Sequence, residues 1–501
     1  MIIKMSCERH INLQDSDICN KNFNLCDNND ICITCDDVCL TENEALSNKS
    51  TGDPRLDLFF KSVRDLTVEK FLVLLRDSWN VSSLDTIKTM FYIRDCRRGK
   101  GEKKLFIWFM YWLYEINKDL FIKMIRHIPY YGCYKDLKKL LKLTKDDNIV
   151  KFWSSEILLD KVLFREGKQP ISLAAKWIPI QNTQFSKYFN MTHKQFRHFL
   201  KPLRENLNIV EQKMSDCKWD EIEFDKIPSL ASKKYVNTFK RHCEERYGEY
   251  MKLVKQGSKK LNVNLIEPHD IISDILYNHQ LSEEFVQNAW NKLLEMNNNK
   301  SKSICVVDVS GSMYGLPITV AIALGLYCAQ SNKDTFFHNK FITFSKTPEL
   351  IEIKGNTLRD QVESIHRANW CMNTNIQAVF DLILNNCKEK EQCPENIIIL
   401  SDMQFDSIEN NFLGKNKEYT TNYDEIQRKY DELGIKRPRL IFWNLRGDTI
   451  DFPLVSNIPD CILVSGFSKN ILSSVIETGT IDPMIYYRKI IDSDRYKKIV
   501  I

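Results

Sequence analysis

Short β-branched runs alternate with helical segments along residues 299–501, and this alternation constrains the fold more strongly than any other feature of the chain. The runs read SICVVDV, FFHNKFITF, LIEI, NIIIL, LIFWNL and CILVSG. Between them, segments 316–330, 376–387 and 424–433 carry the pattern of helices. Strands that are separated by helices pair in parallel through crossovers. The pattern therefore predicts a doubly wound parallel sheet covered on both faces.

Residues 53–298 carry a helical pattern instead. Apolar residues recur three and four positions apart in segments such as 71–75 and 87–93, and turns containing proline separate the helices. No fixed repeat period is visible, so we expect an all-α domain of irregular, stacked, HEAT-like helical hairpins. The polar segment 297–300 marks the change to the C-terminal domain.

Residues 1–52 form an N-terminal extension that is polar, acidic and rich in cysteine, and its lack of periodicity is compatible with flexibility. Cys32 and Cys35 have the spacing of zinc ligands. The cysteines that could complete a four-cysteine zinc site are Cys39, Cys26 and Cys19. Because only one C-x-x-C pair is present, the alternative is an acidic extension with reduced thiols.

The composition favours an intracellular, cytoplasmic protein. The chain has 16 cysteines, but its 501 residues are long for a disulfide scaffold and no secretory signal is visible, so we expect reduced thiols. The longest apolar run, 105–113, is far shorter than the roughly 20 residues that span a bilayer, and it predicts a buried aromatic helix. Residues 51–200 hold 28 basic and 16 acidic residues, which suggests a polyanionic partner.

Oxygen-bearing side chains follow two of the predicted strands. Asp308, Ser310 and Ser312 come at the end of the first run, and Asp402 follows NIIIL. Thr374 lies in a loop just before a predicted helix. Because the carboxyl ends of parallel strands meet at one edge of a sheet, we expect these five side chains to converge. An all-oxygen set favours a hard ion, Mg²⁺ or another divalent cation.

A hydrolase is the alternative for this stretch. A nucleophile elbow needs G-x-S-x-G, and the residues after Ser312 break that spacing. No histidine falls where a general base would be expected. The sequence therefore predicts a non-enzymatic binding protein.

The order D-x-S-x-S, loop threonine and strand-end aspartate resembles the metal-ion-dependent adhesion site (MIDAS) of von Willebrand factor A domains. The resemblance implies that Asp308, Ser310 and Ser312 are ligands from the first loop. Thr374 and Asp402 would come from the second and third loops, the aspartate often acting through water. It also implies a Rossmann-like, A-type C-terminal domain whose metal can capture an acidic residue of a partner.

The helical region carries a second resemblance. The stretches RDCRRGKGEKKLF, HIPYYGCYKDL, SLAAKWIP and FLKPLRENLNIVEQKM resemble an uncharacterised family of plant, fungal and giant-virus proteins that join a helical region to an A-type domain, over about residues 55–480. The layout is also similar to the Ro ribonucleoprotein (TROVE) family, in which helical repeats form a ring that binds small structured and misfolded RNAs. That similarity implies an RNA-binding ribonucleoprotein component.

A basic loop, residues 94–104, is the candidate RNA contact. Gly99 and Gly101 would let its backbone approach a phosphate closely. Its cations, which would give salt-sensitive affinity, are Arg94, Arg97, Arg98, Lys100, Lys103 and Lys104. The alternative is a solvated connector between helices.

Two binding functions remain open on the sequence. One is RNA binding through the basic helical domain, and the other is a metal-dependent protein–protein scaffold without RNA binding. Tyr130, Tyr131 and Tyr134 could stack on unpaired bases of an RNA, but aromatic residues at this density are more typical of a core.

Overall fold

A computed structural model of the chain describes residues 38–168, 171–179, 181–296, 302–332, 336–344, 348–366, 375–387, 393–406, 422–449, 451–477 and 482–501. The candidate metal ligand Thr374 lies outside these residues. So do the candidate zinc ligands Cys19, Cys26, Cys32 and Cys35.

The N-terminal half is helical, as the sequence predicts. A hairpin of two short strands, β1 (Val38–Leu40) and β2 (Leu46–Asn48), precedes the first helix. The helices that follow are α1 (Pro54–Lys61), α2 (Val68–Val81), α3 (Ser83–Arg94), α4 (Lys104–Ile116), α5 (Lys118–Ile125), α6 (Ile128–Tyr131), α7 (Tyr134–Thr144), α8 (Asp147–Arg165), α9 (Ala174–Trp177), α10 (Thr183–Tyr188), α11 (His193–Asn206), α12 (Val210–Ser215), α13 (Ser229–Lys234), α14 (Val236–His242), α15 (Glu244–Lys255), α16 (Pro268–Ser273) and α17 (Glu283–Glu295). Short 3-10 turns lie at Trp219–Glu221 and Phe224–Lys226, and a π turn lies at Asp274–Asn278.

Capping residues fix where several of these helices begin. The Asp53 side chain accepts a hydrogen bond from the Arg55 backbone N–H (2.9 Å) at the start of α1. Pro54 occupies the first helical position, where its missing N–H would have no partner within the helix. The boundary predicted at residues 53–54 is therefore the start of the first helix.

The C-terminal half contains a six-stranded sheet. Its strands are β3 (Ser303–Val307), β4 (Lys340–Thr343), β5 (Leu350–Glu352), β6 (Asn396–Ser401), β7 (Arg439–Asn444) and β8 (Cys461–Ser465). Its helices are α18 (Leu316–Ser331), α19 (Leu358–His366), α20 (Ile376–Asn386), α21 (Asn422–Glu432), α22 (Asn470–Glu477) and α23 (Pro483–Ile491). The strand order is β5-β4-β3-β6-β7-β8, and all neighbours pair in parallel except β5, which runs antiparallel to β4. The prediction of a largely parallel sheet is confirmed.

Each predicted run contains a strand, but FFHNKFITF contributes only its second half as β4. The residues before Lys340 turn instead, and Asn339 adopts φ 55°, in the left-handed region. The Lys340 N–H closes this turn on the Phe337 carbonyl (3.1 Å). Asparagine tolerates this backbone conformation better than most residues, which explains the shorter strand.

Both faces of the sheet are covered. Every residue of β3, β6 and β8 is buried, which is typical of strands without a solvated face. Helix α18 packs against β3, β4 and β6, whereas α1 and α23 pack against β8. Because α1 belongs to the N-terminal half, the two halves share a packed interface.

The hairpin of β1 and β2 also packs on the C-terminal half. Thr41 Oγ1 donates a hydrogen bond to the Phe405 carbonyl (2.8 Å), and the Asn48 N–H donates to the Phe452 carbonyl (3.0 Å). The end of the predicted extension is therefore held against the α/β half, which its polar composition did not indicate.

Among the described cysteines, Cys387 and Cys393 depart from the expected reduced thiols and form a disulfide. The free cysteines of the described part are Cys39, Cys96, Cys133, Cys217, Cys243, Cys305, Cys328 and Cys461. Of the helices in that part, none combines the length and the apolar character that crossing a bilayer requires.

Candidate functional site

Asp308 and Asp402 lie at the carboxyl ends of two neighbouring strands. Strand β3 pairs in parallel with both β4 and β6. The chain adds β4 and β5 on one side of β3 and then β6, β7 and β8 on the other, so the strand order reverses at β3. Such a switch point is where open α/β sheets bind their ligands. The Asp308 N–H donates to the Leu400 carbonyl (2.9 Å), which places Asp308 across from the end of β6. The predicted convergence of these two strand ends is present.

The Asp308 carboxylate is fully buried and is held by two hydrogen bonds. Its Oδ1 accepts from the Ser310 N–H (2.9 Å), and its Oδ2 accepts from Ser401 Oγ (2.6 Å). Burial, reinforced by the nearby Asp402 carboxylate, raises the pKa of Asp308 to about 6. The two buried carboxylates are therefore close enough to repel each other.

The two predicted hydroxyl donors lie beside this carboxylate. Ser310 Oγ and Ser312 Oγ are 3.0 Å apart and share a hydrogen bond. Ser310 is buried, whereas Ser312 is half-buried in the short 3-10 turn Gly311–Met313. Tyr314, just after that turn, has 89% of its surface exposed. The loop therefore runs from a buried carboxylate to an exposed aromatic ring.

Asp402 is also fully buried, but it has a cationic neighbour. Its Oδ1 accepts from the Gln404 N–H (3.1 Å), and its Oδ2 lies 3.5 Å from Nη1 of Arg446. Met403 follows with φ 69°, a conformation that is uncommon for a residue other than glycine. The Met403 N–H donates to Ser401 Oγ (3.0 Å), so one serine ties this turn to Asp308.

A divalent cation fits these donors. Asp402 has Arg446 beside it, but among the described residues no lysine or arginine pairs with Asp308. A buried carboxylate without a cation is costly, and a metal ion held by Asp308, Ser310 and Ser312 would supply the charge. Carboxylate and hydroxyl oxygens are ligands that Mg²⁺ prefers. No cluster of three or more His, Cys, Asp or Glu is found in the described part, so hydroxyls, water or a ligand would have to complete the shell.

Two residues at this site were not predicted from the sequence. Ser401 is the last residue of β6 and hydrogen-bonds Asp308, and Arg446 follows β7 and pairs with Asp402. Both lie at the carboxyl ends of central strands. The same strand-end rule, applied to every strand, would have found them.

The structure places two cations of the basic loop inside the protein. Arg94 Nε lies 2.7 Å from Asp136 Oδ2, and only 5% of Arg94 is exposed. Lys100 is 3% exposed and its ammonium donates to the carbonyls of Phe59 and Ser62 and to Ser465 Oγ (2.6 Å). Neither side chain is accessible to a phosphate.

The remaining cations of the basic loop differ in their exposure and in whether another group of the protein binds them. Arg97 donates to the Tyr130 carbonyl (2.7 Å), and Lys103 lies 3.1 Å from Asp136 Oδ1. Arg98 is exposed, and Lys104 is exposed with its ammonium 4.5 Å from the ring centroid of Trp108. Arg98 and Lys104 are therefore the cations best placed for an external anion.

Gly99 serves the packing of the loop instead of a phosphate. A Cβ at this position would lie 2.0 Å from the Tyr92 carbonyl oxygen, so only glycine allows the loop to pack against the end of α3. Of the three candidate stacking residues, Tyr131 and Tyr134 are buried, whereas Tyr130 is 52% exposed and packs beside the Arg495 guanidinium, 5.0 Å from its ring centroid.

The buried Lys100 ammonium contacts both halves of the protein, and its burial should make the free energy of unfolding depend on pH. Burial lowers its pKa to about 7, and the nearby Glu102 opposes that shift. The unfolded chain keeps this proton up to about pH 10.5, so it binds more protons than the folded chain between pH 7 and 10.5. The contribution of Lys100 to the free energy of unfolding should therefore rise by about 2 kcal/mol between pH 7 and 9.

Urea denaturation of the wild type and of Lys100→Met at pH 7 and pH 9 measures this contribution. Lys61 is also buried and its pKa is lowered to about 8, but it is present in both proteins and cancels in the difference. The gap between wild type and variant should widen in favour of the wild type as the pH rises. A gap that stays constant would show that Lys100 keeps its charge in the folded protein.

Cys39 is the one candidate zinc ligand within the described residues. It lies in β1, half-buried, and burial together with the Asp451 carboxylate raises the pKa of its thiol to about 11. Because its possible partners lie outside the described residues, the zinc site stays a prediction.

Two family models match the chain. Residues 302–497 match one described as "Domain of unknown function (DUF7788)", and residues 41–162 and 181–305 match one described as "Domain of unknown function (DUF2828)". An uncharacterized protein of Acanthamoeba polyphaga mimivirus is 28% identical over 496 residues, which cover 89% of this chain and 85% of that relative. The crystal structure of the Deinococcus radiodurans RO (RSR) protein is similar with 13% identity and a TM-score of 0.38, over 87% of this chain and 99% of that one. None of these matches assigns an activity to the chain.

Proposed function

We propose that the protein is a non-enzymatic binding protein that holds a divalent cation, Mg²⁺ being the ion we favour, and that its basic helical half binds RNA. The observation that carries the metal site is the apposition of Asp308 and Asp402, both fully buried, at the switch point of the sheet. Ser310 and Ser312 add two hydroxyl oxygens, and Thr374 would add a third.

The finer fold assignment belongs to the same proposal. The C-terminal half would be a von Willebrand A-type domain whose MIDAS is this cluster, and a largely parallel sheet with two buried aspartates at its switch point supports that assignment. The helical half would consist of stacked, HEAT-like hairpins. In its support, α1, α2, α3 and α4 each pack against the next helix in the chain.

The proposal of RNA binding is supported by the charge of the helical half. Residues 51–200 hold 28 basic and 16 acidic residues. The side chains of Arg98 and Lys104 are exposed at the surface of this region. Cations placed in this way neutralise phosphates and release counterions, whatever the base sequence. We therefore expect salt-sensitive binding of structured or misfolded RNA.

Fluorescence anisotropy with a labelled RNA hairpin and a labelled single strand tests this function at several salt concentrations. On the single strand, the variant Arg98→Ala/Lys104→Ala should make the negative slope of log K against log salt concentration shallower by about 1.4. Each lost phosphate contact contributes about 0.7 to that change. The control variant Lys436→Ala/Lys489→Ala removes the same charge from exposed positions of the C-terminal half and should leave the slope unchanged. Negligible binding of both RNAs at low salt would rule out the RNA function.

A protein–protein scaffold is the second candidate, and the exposed Tyr314 favours it. An aromatic ring with 89% of its surface exposed beside a metal site is suited to contact a protein partner. The metal would then take a carboxylate of that partner. Recovery of protein partners that depends on Mg²⁺ and on Asp308, from cells treated with nuclease, would favour this candidate over RNA binding.

A further inference from the structure

A cleft of about 530 Å³ opens in the helical half, and none of its lining residues belongs to the basic loop or to the carboxylate cluster. Helices α7, α9 and α11 and the segments after α9 and α11 form its walls. Its lining residues are Lys138, Lys176, Ile178, Pro179, Gln181, Arg197, Arg204 and Ile209. Four of these side chains are cationic, and none of the lining residues is acidic.

Two arginines of the cleft lie on one helix face. Arg197 and Arg204 are seven residues apart on α11, which is close to two helical turns, so both point to the same side. Arg204 is half-buried, and its Nε donates to the Ala175 carbonyl (2.8 Å), which fixes it at the wall. Burial and then the neighbouring Arg197 hold the pKa of Arg204 below its ordinary value.

One carboxylate partly balances this charge. Glu211, outside the lining, lies 3.2 Å from the Lys176 ammonium and also accepts from the Tyr235 hydroxyl (3.4 Å). In the described part of the chain, Lys138 and Arg197 have no ion pair and are exposed. The positively charged side chains of the cleft repel one another, and a bound anion would relieve this repulsion.

The shape and chemistry of the cleft favour phosphate. Arginine presents a planar fork of donors that matches phosphate oxygens, and Lys138 and Lys176 add flexible donors on the facing helices. Ile178 is buried and Pro179 and Ile209 are half-buried, so the cleft also has an apolar wall that could pack against a sugar. The lining offers no aromatic ring for a base to stack on, so contacts should not depend on base identity.

We propose that this cleft binds phosphate groups, and that in the cell these belong to the backbone of an RNA strand. The phosphate chemistry follows from the cleft alone, whereas the RNA identity rests on the function proposed above. A small phosphorylated molecule is the other source of the same chemistry.

Two probes separate these sources on the full-length protein. Isothermal titration calorimetry with inorganic tripolyphosphate measures the site itself, and anisotropy with a labelled single-stranded RNA of 20 nucleotides measures the polymer. Lys138→Ala/Arg197→Ala should weaken tripolyphosphate binding at least tenfold, because it removes two of the four cationic donors of the cleft. RNA binding should weaken as well.

Both substituted residues are exposed and have no ion pair in the described part, so the variant should fold, which circular dichroism and thermal unfolding would verify. The control Lys436→Ala/Lys489→Ala should change either affinity less than twofold. The cleft is not a phosphate-binding site if tripolyphosphate fails to bind the wild type. The same conclusion follows if the cleft variant and the control bind tripolyphosphate with equal affinity. Tripolyphosphate binding that depends on the cleft, without RNA binding, would uphold the site and overturn its assignment to RNA.

Discussion

Asparagine in place of Asp308 is expected to abolish the stabilisation that Mg²⁺ gives to the full-length protein. In the proposed metal site Asp308 is the central ligand, and the change replaces its charge with a neutral amide of the same size. A ligand that binds only the folded state stabilises it by RT ln(1 + [L]/Kd), about 2.7 kcal/mol when its concentration is 100 times Kd. Thermal unfolding with MgCl₂ and with EDTA should show this gain in the wild type and none in Asp308→Asn.

Stability in EDTA supplies the internal check. Without metal, Asp308→Asn should be at least as stable as the wild type, because it removes the repulsion between two fully buried carboxylates. Asp431→Asn on the exposed face of α21 is the matched control and should keep the full Mg²⁺ effect. Equal Mg²⁺ stabilisation of the wild type and Asp308→Asn would contradict the assignment of Asp308 as a ligand. A wild type that no divalent cation stabilises would overturn the metal site itself.

The two apposed strand ends could be predicted because they follow from the chain alone. A short β-branched run such as NIIIL is typical of a buried strand, and parallel strands bring Asp308 and Asp402 to one edge. The antiparallel direction of β5 was missed although the sequence carried the signal: only residues 344–349 separate β5 from β4, and a connection this short cannot make a parallel crossover. The hydrogen bond from Ser401 to Asp308 depends on the register between β3 and β6.

The basic loop shows why a run of basic residues in the sequence does not predict an exposed, positively charged surface. Arg94 and Lys100 stand in a run of cations, but their partners lie far along the chain. Asp136 is 42 residues from Arg94, and Ser465 is 365 residues from Lys100. Which cations are buried is decided by tertiary contacts that no local pattern encodes. The four cations of the cleft show the converse. They are far apart in the sequence, on α7, α9 and α11, and the packing of these helices brings them together.

Replacing Asp95 with alanine is expected to lower the free energy of unfolding by about 3–5 kcal/mol, because it breaks a buried ion pair and leaves the other charge without a partner. Asp95 is fully buried at the end of α3. Its carboxylate accepts two hydrogen bonds from Arg495, one from the Tyr496 hydroxyl (3.0 Å) and one from the Arg97 N–H (2.9 Å). One side chain of the helical half therefore holds the C-terminal segment 493–501 and shapes the basic loop. Urea denaturation measures the loss, and hydrogen exchange should show faster exchange in 493–501.

A double-mutant cycle distinguishes this pair from simple loss of packing. Asp95→Ala/Arg495→Met removes both charges, so it should cost clearly less than the sum of Asp95→Ala and Arg495→Met measured singly. Asp494→Ala is the matched control, because Asp494 pairs with Lys497 at the surface (2.6 Å), where screening makes an ion pair weak, and stability should not change measurably. If the two single changes add without coupling, the ion pair does not join the segment to the helical half. Strong coupling, together with faster exchange in 493–501 after either single change, would instead show that this ion pair fastens the segment that follows α23 to the end of α3.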